Sequence, residues 1–235
     1  MPSIKAVLFD LDDTLWPVVP VIERAENLMF DWLRRHAPAV PARFSITELR
    51  ERRKALMATD PVYQLDLRRL RHAGLTEAFL ATGEDPALVE SAMAVFTKAR
   101  NEVELFDDVL PALSALRGRV ILGSVSNGVA DLEAIGLAHW FDASIAAYQL
   151  GRAKPDPEIF LAACDALGVA PRETVYVGDD PRLDVEGAQR AGLRGVLMDR
   201  QHLRPRDIPA HIAPDAVCGT LTELQQWLQD ELAKP

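Results

Sequence analysis

Three carboxylates stand within four positions in the stretch FDLDDTLWP: Asp10, Asp12 and Asp13, directly after the apolar run Ala6-Val7-Leu8-Phe9. Aspartates this close repel one another unless a cation holds them, and their oxygens are the ligands that Mg2+ prefers. An ordinary aspartate is ionised at neutral pH, so Asp10 could act as a nucleophile. If the target is a phosphate dianion, the attack brings like charges together. The site then needs Mg2+ and a cationic side chain to neutralise them. Asp12 could reach a leaving-group oxygen and act as general acid, then as base toward water. For the first role it must be protonated, which burial and neighbouring negative charge favour. Asp13 reads as a solvated or turn-stabilising carboxylate outside the chemistry.

Further polar residues fall at the ends of apolar runs. Ser126 and Asn127 follow VILGSV, Asp179 and Asp180 follow TVYVG, and Lys154 lies in the loop GRAKPDP before a helical stretch. In an open parallel sheet ligands bind beyond the carboxyl ends of the strands, so these residues are expected to converge on one crevice. The five histidines show no metal-ligand spacing. Cys164 and Cys218 form no CxxC pair and read as buried, reduced thiols.

The elements that must position these groups divide into two kinds. Strands are expected at 4–9, 120–125, 143–147, 174–178 and 194–198, with helices at 108–117, 128–137, 156–168 and 182–191 and a final helix, LTELQQWLQDEL, after Thr220. Such alternation predicts a parallel α/β sheet flanked by helices. Between about Val18 and Val103 the periodicity is helical throughout. Ile22, Ala25, Leu28, Met29, Trp32 and Leu33 mark one face; Ser45 with Glu48 fits a capping box that opens a second helix; VYQLDLRRLRHA makes a third; Asp85-Pro86 starts a fourth. The chain therefore reads as an α/β core, 1–15 and 105–235, carrying an all-helical insertion at 16–104. The stretch 199–215, with three prolines, is the most irregular.

Composition limits the partners. Of 235 residues, 49% are hydrophobic and 26% charged, with 26 basic against 35 acidic side chains and a formal charge of -9. That balance repels nucleic acid and anionic membranes. No apolar stretch approaches the roughly 18 residues of a membrane span, and no signal peptide opens the chain, so a cytoplasmic protein, monomer or homodimer, is expected.

Taken in order, VLFDLDDTL, VILGSVSNG, GRAKPDPEIF and VYVGDDPRLD resemble the four motifs of the haloacid dehalogenase (HAD) superfamily in its phosphatase branch. The resemblance spans nearly the whole chain. It implies a Rossmann-like core with a helical cap inserted between the first two motifs. It implies Mg2+ held by the Asp10 carboxylate, the Asp12 main-chain carbonyl and Asp179, with Asp184 in support. It also implies an aspartyl-phosphate on Asp10, with Ser126 and Lys154 on the transferring phosphoryl group, and favours Thr14, otherwise a helix or turn cap, as a brace of the nucleophile loop beside the substrate; the place of Asn127 in the crevice favours a phosphate donor over a plain turn residue. Asp180 is left between the metal's water shell and a structural role. The substrate would be a small phosphorylated metabolite. Tyr63, Gln64 and Arg68 are the cap residues expected to select it. A phosphomutase would use the same residues. The family's dehalogenases lack the second aspartate, because halide leaves without a proton donor, so Asp12 argues for phosphoryl transfer. A non-catalytic scaffold would tolerate loss of Asp12 or Lys154, and both are present.

Overall fold

The structure, a computed structural model, describes residues 3–200 and 208–233. Six strands form its central sheet: β1 (Ala6–Phe9), β2 (Ile121–Ser126), β3 (Ala143–Ala146), β4 (Thr174–Gly178), β5 (Arg194–Met198) and β6 (Ala216–Cys218). All pair in parallel, in the order β3-β2-β1-β4-β5-β6. β1 is central, and each of its four residues is fully buried. Burial on both faces explains its unbroken apolar run, since a strand with one wet face would alternate. From β1 the chain builds outward through β2 and β3 on one side, then returns to build β4, β5 and β6 on the other. The order reverses between β1 and β4, which places a ligand crevice beyond their carboxyl ends.

Two compact units make up the chain: residues 1–17, 104–128 and 136–235 carry the sheet, and 18–103 with 129–135 are helical. In the second unit lie α1 (Val18–His36), α2 (Ala39–Arg43), α3 (Ile46–Met57), α4 (Val62–Leu65), α5 (Leu67–Thr82) and α6 (Val89–Arg100). The capping box of α3 is formed, with Ser45 and Glu48 each holding the other's backbone N–H. In the first unit α7 (Val109–Leu116) packs with the C-terminal helix.

Several local expectations are corrected. The third helix of the insertion is two, because Asp66 takes an extended conformation between α4 and α5 and its carboxylate caps Arg69 N–H. The expected helix 128–137 shrinks to the single turn α8 (Leu132–Ile135). After the one-turn α9 (Ala147–Leu150), α10 (Pro157–Leu167) runs as expected between the Asp156 cap and Gly168. The helix expected at 182–191 is a wide π-type turn, Pro181–Glu186, leading into α11 (Gly187–Arg190). β6 was not expected; at three residues it is too short for periodicity to register. The irregular stretch 199–215 lies partly, at 201–207, outside the described residues. The final helix, α12 (Leu221–Leu232), is capped by Thr220. Among the described residues no helix is long and apolar enough to cross a membrane.

The face of α1 is also shifted. Leu28 is 43% exposed, whereas Glu26 is buried at 1%. Glu26 is turned inward because three arginines meet it: Arg50 at 2.5 Å and Arg53 from α3, and Arg71 at 3.0 Å from α5. Arg71 also lies over the Phe96 ring, 3.5 Å from its centroid. Burial alone would raise the Glu26 carboxyl; Arg53 and Arg71 outweigh it, and the group ends below its ordinary value. Removing the carboxylate leaves buried guanidinium groups unpaired, so Glu26→Gln is expected to destabilise the protein by about 3–5 kcal/mol at neutral pH. Because the folded value is depressed, this contribution is present above the ordinary glutamate range and is lost as pH falls through the folded value. Urea unfolding should therefore show a wild-type advantage at pH 7 that shrinks in acid; an advantage independent of pH would refute it.

Candidate active site

The site is built at the carboxyl ends of β1, β2 and β4. Phe9 pairs with Ser124 and with Val177, so Asp10 leaves the sheet between the two neighbouring strands, its N–H bonded to Val177 C=O at 2.8 Å. The chain then turns sharply. Leu15 N–H returns to Leu11 C=O, Asp13 N–H reaches Trp16 C=O, and Asp13 adopts φ of 58°. Of the two roles expected for Asp13, the structure shows the turn: Asp13 is buried and belongs to the tight turn that presents Asp10 and Asp12. Asp12 accepts a 2.8 Å hydrogen bond from Trp16 Nε1 on that same turn.

Lys154 is the centre of the cluster. Its ammonium donates to Asp10 Oδ1 at 2.6 Å, to Asp184 Oδ1 at 2.7 Å and to the Tyr176 hydroxyl at 2.9 Å. All three donors are thereby used. Burial opposes its charge, but Asp10 and Asp184 prevail and hold the ammonium well above its ordinary value. Asp10 is pushed the other way: burial, with Asp184 and Asp179 adjacent, raises its carboxyl well above the usual range against the pull of Lys154.

Asp184 is reached through the turn after β4. Its Oδ2 accepts Asp180 N–H at 2.8 Å, and its side chain lies directly against Gly178, where any Cβ would overlap Asp184 Cβ and Cγ. Glycine is required there by that approach. Asp180 takes the structural role: its Oδ1 accepts the N–H groups of Arg182 and Leu183, both at 2.9 Å.

Asn127 also takes a part that was not expected. Its Oδ1 accepts Lys154 N–H at 2.8 Å and its Nδ2 donates to Lys154 C=O at 3.0 Å, so the amide is committed to the lysine's main chain. Ser126 Oγ accepts Gly128 N–H at 2.9 Å. Thr14 is fully buried, and its carbonyl accepts from Arg200, whose other amino group donates to Asp108 at 2.7 Å. Arg200 and Asp108 thus brace the turn that follows Asp10, and nothing local in their sequence marks them. Tyr176 was also missed; a hydroxyl in the buried aliphatic strand TVYVG was the available signal, because a buried hydroxyl needs a partner. Tyr63 and Gln64 sit on α4 and Arg68 on α5, where Arg68 pairs with exposed Glu90 at 3.2 Å.

One oxygen from each of Asp10, Asp179 and Asp184 lies within 4.8 Å of the others. Three carboxylates against one ammonium leave two negative charges in excess, and the donors are all hard oxygens. This set suits a divalent cation.

A parallel sheet flanked by helices, with clustered aspartates and a buried lysine at its central strand ends, defines a Rossmann-like α/β scaffold with a polar site at the switch of strand order. The haloacid dehalogenase-like hydrolase family matches residues 4–192, and the chain belongs to that family. It is 33% identical over 220 residues to a glyceraldehyde 3-phosphate phosphatase of Methanopyrus kandleri, covering 88% of this chain and 91% of that one. It is 32% identical over 195 residues to a 5-amino-6-(5-phospho-D-ribitylamino)uracil phosphatase of Escherichia coli, covering 81% and 82%. Among solved structures, a 2-haloacid dehalogenase from Pseudomonas syringae pv. Tomato DC3000 superposes with a TM-score of 0.89 at 36% identity, covering 97% of this chain and 99% of that one.

Gly178→Ala is expected to displace Asp184 and weaken divalent-cation binding about 10- to 100-fold. Mn2+ titration followed by electron paramagnetic resonance measures this; unchanged affinity would count against Asp184 as part of the cation cluster.

Proposed function

We propose that the protein is a Mg2+-dependent phosphatase that hydrolyses small phosphorylated metabolites through an aspartyl-phosphate on Asp10. The observation that carries this reading is Asp12, a second carboxylate on the nucleophile turn, held by Trp16 two residues beyond the one that faces Lys154. Mg2+ would be held by Asp10, Asp179, Asp184 and the Asp12 carbonyl, and when bound it neutralises charge on the phosphoryl oxygens.

In the first step an Asp10 oxygen bonds to phosphorus, the P–O ester bond breaks, and the leaving oxygen takes the proton of Asp12 and departs as an alcohol. In the second, Asp12 removes a proton from water, the resulting oxygen bonds to phosphorus, and the acyl-phosphate bond breaks to regenerate Asp10 and release phosphate. Lys154 holds Asp10 in place and offsets its charge against the substrate. Ser126 is assigned to the phosphoryl group. Phosphatases are among this chain's relatives across most of its length, which supports the same assignment.

The helical insertion, 16–104, is assigned as the cap that selects substrate, with Tyr63, Gln64 and Arg68 as its selecting residues. The Arg68–Glu90 pair is exposed on both sides. Such a pair contributes little to stability, so it does not tie Arg68 down.

Beside the phosphomutase, the similarity to a 2-haloacid dehalogenase gives a second competing reading a concrete basis. A dehalogenase would also use Asp10, but it would gain nothing from a proton donor at Asp12.

Phosphate release from a panel of phosphorylated metabolites with Mg2+ should be abolished by Asp10→Asn and by EDTA, and Asp12→Ala should lower it about 100-fold or more. Halide release from 2-chloropropionate with no phosphate release from the panel would instead establish the dehalogenase.

A further inference from the structure

We propose that Tyr176 is a positioning residue for catalysis, its hydroxyl fixing the Lys154 ammonium against Asp10; this rests on the phosphatase reading of the site. Tyr176 lies in β4 opposite Leu8 of β1, on the face covered by α10, and its ring meets Phe160 edge-on at 4.8 Å. A phenylalanine would fill that space equally well. What distinguishes tyrosine is the hydroxyl, and burying a hydroxyl is unfavourable unless it is bonded.

Here both functions of the hydroxyl are used. It donates to Val125 C=O at 2.9 Å and accepts from Lys154 Nζ at 2.9 Å. Donation to a fixed main-chain carbonyl orients the oxygen, so its lone pair faces the lysine. Burial holds the phenol well above its ordinary value, which keeps the donated proton in place.

The consequence is that Lys154 is fixed at both ends from the end of β2. Asn127 grips its main chain with two hydrogen bonds, and Val125, two residues earlier, holds the tyrosine that holds its ammonium. The other two ammonium protons then point at Asp10 and Asp184. Without the hydroxyl, the third N–H has no acceptor in a buried site, and the ammonium must turn or shift to find one. Displacement of a group that orients the nucleophile lowers the rate of the chemical step more than it weakens substrate binding, to which the rest of the substrate also contributes.

The test is Tyr176→Phe in the intact protein, with p-nitrophenyl phosphate and Mg2+ as the assay and Phe160→Leu as a packing control. Tyr176→Phe is expected to lower kcat about 10- to 100-fold, with a change in KM at least about fivefold smaller than the change in kcat. Phe160→Leu, which perturbs the same ring contact and spares the hydroxyl, should keep kcat within about threefold of wild type. Equal loss in both variants, or no loss in Tyr176→Phe, would overturn the proposal. If the wild type releases no phosphate, the phosphatase reading fails by itself. The crystal structure of Tyr176→Phe then decides: Lys154 Nζ moved from hydrogen-bond distance of Asp10 supports the positioning role, and an unmoved ammonium refutes it.

Discussion

One buried ammonium organises the core. Lys154 joins Asp10 and Asp184, residues 144 and 30 positions away along the chain, at 2.6 Å and 2.7 Å. In a site of low polarity neither carboxylate nor lysine can be left alone without a large desolvation cost, so the three must arrive together. Much of the surrounding local structure serves that meeting. β1 ends where Asp10 emerges between its neighbours, Gly178 leaves room for Asp184, Asn127 clamps the lysine's backbone, and the Asp180 cap shapes the turn that returns Asp184 to the site.

The charges are deliberately unequal. Lys154 cannot neutralise Asp10, Asp179 and Asp184 together, and burial, with Asp184 and Asp179 adding to it, raises the Asp10 carboxyl well above its ordinary value. An excess of hard oxygen donors at the reversal of strand order is where a cation and an anionic ligand can both be accommodated. The helical unit holds the opposite imbalance, with Arg50, Arg53 and Arg71 around Glu26. There the surplus is absorbed differently: the Arg50 side chain is 38% exposed, and Arg71 lies on Phe96, its guanidinium lowered to about 9 by burial and by Arg53 yet still charged at neutral pH. That cluster ties α1, α3 and α5 together and is structural.

The fold does not choose between phosphate and halide chemistry, since solved dehalogenases and phosphatases alike superpose on it. The choice rests on a carboxylate. Asp12 stands on a turn of only a few residues, oriented by Trp16, and a proton donor there has a purpose only when the leaving group is an oxygen that must be protonated.

What the sequence determined by itself was everything carried by short-range pattern. The apolar run before Asp10, the capping residues Ser45 and Thr220, and the order of the four motifs specify the parallel core, the helical insertion and the residues that gather at the strand ends, because strand burial, helix caps and motif spacing are local properties of the chain. Leu28 marks where that legibility ends: periodicity placed it inward, yet Glu26 is buried instead, because its partners lie on α3 and α5. β6 is a strand only because β5 is there to pair with it. The roles of Tyr176 and Arg200 and the grip of Asn127 on Lys154 likewise depend on partners brought near by folding. Tertiary structure alone decided these, for a buried polar group takes its role from the groups that satisfy it, and those are not its neighbours in sequence.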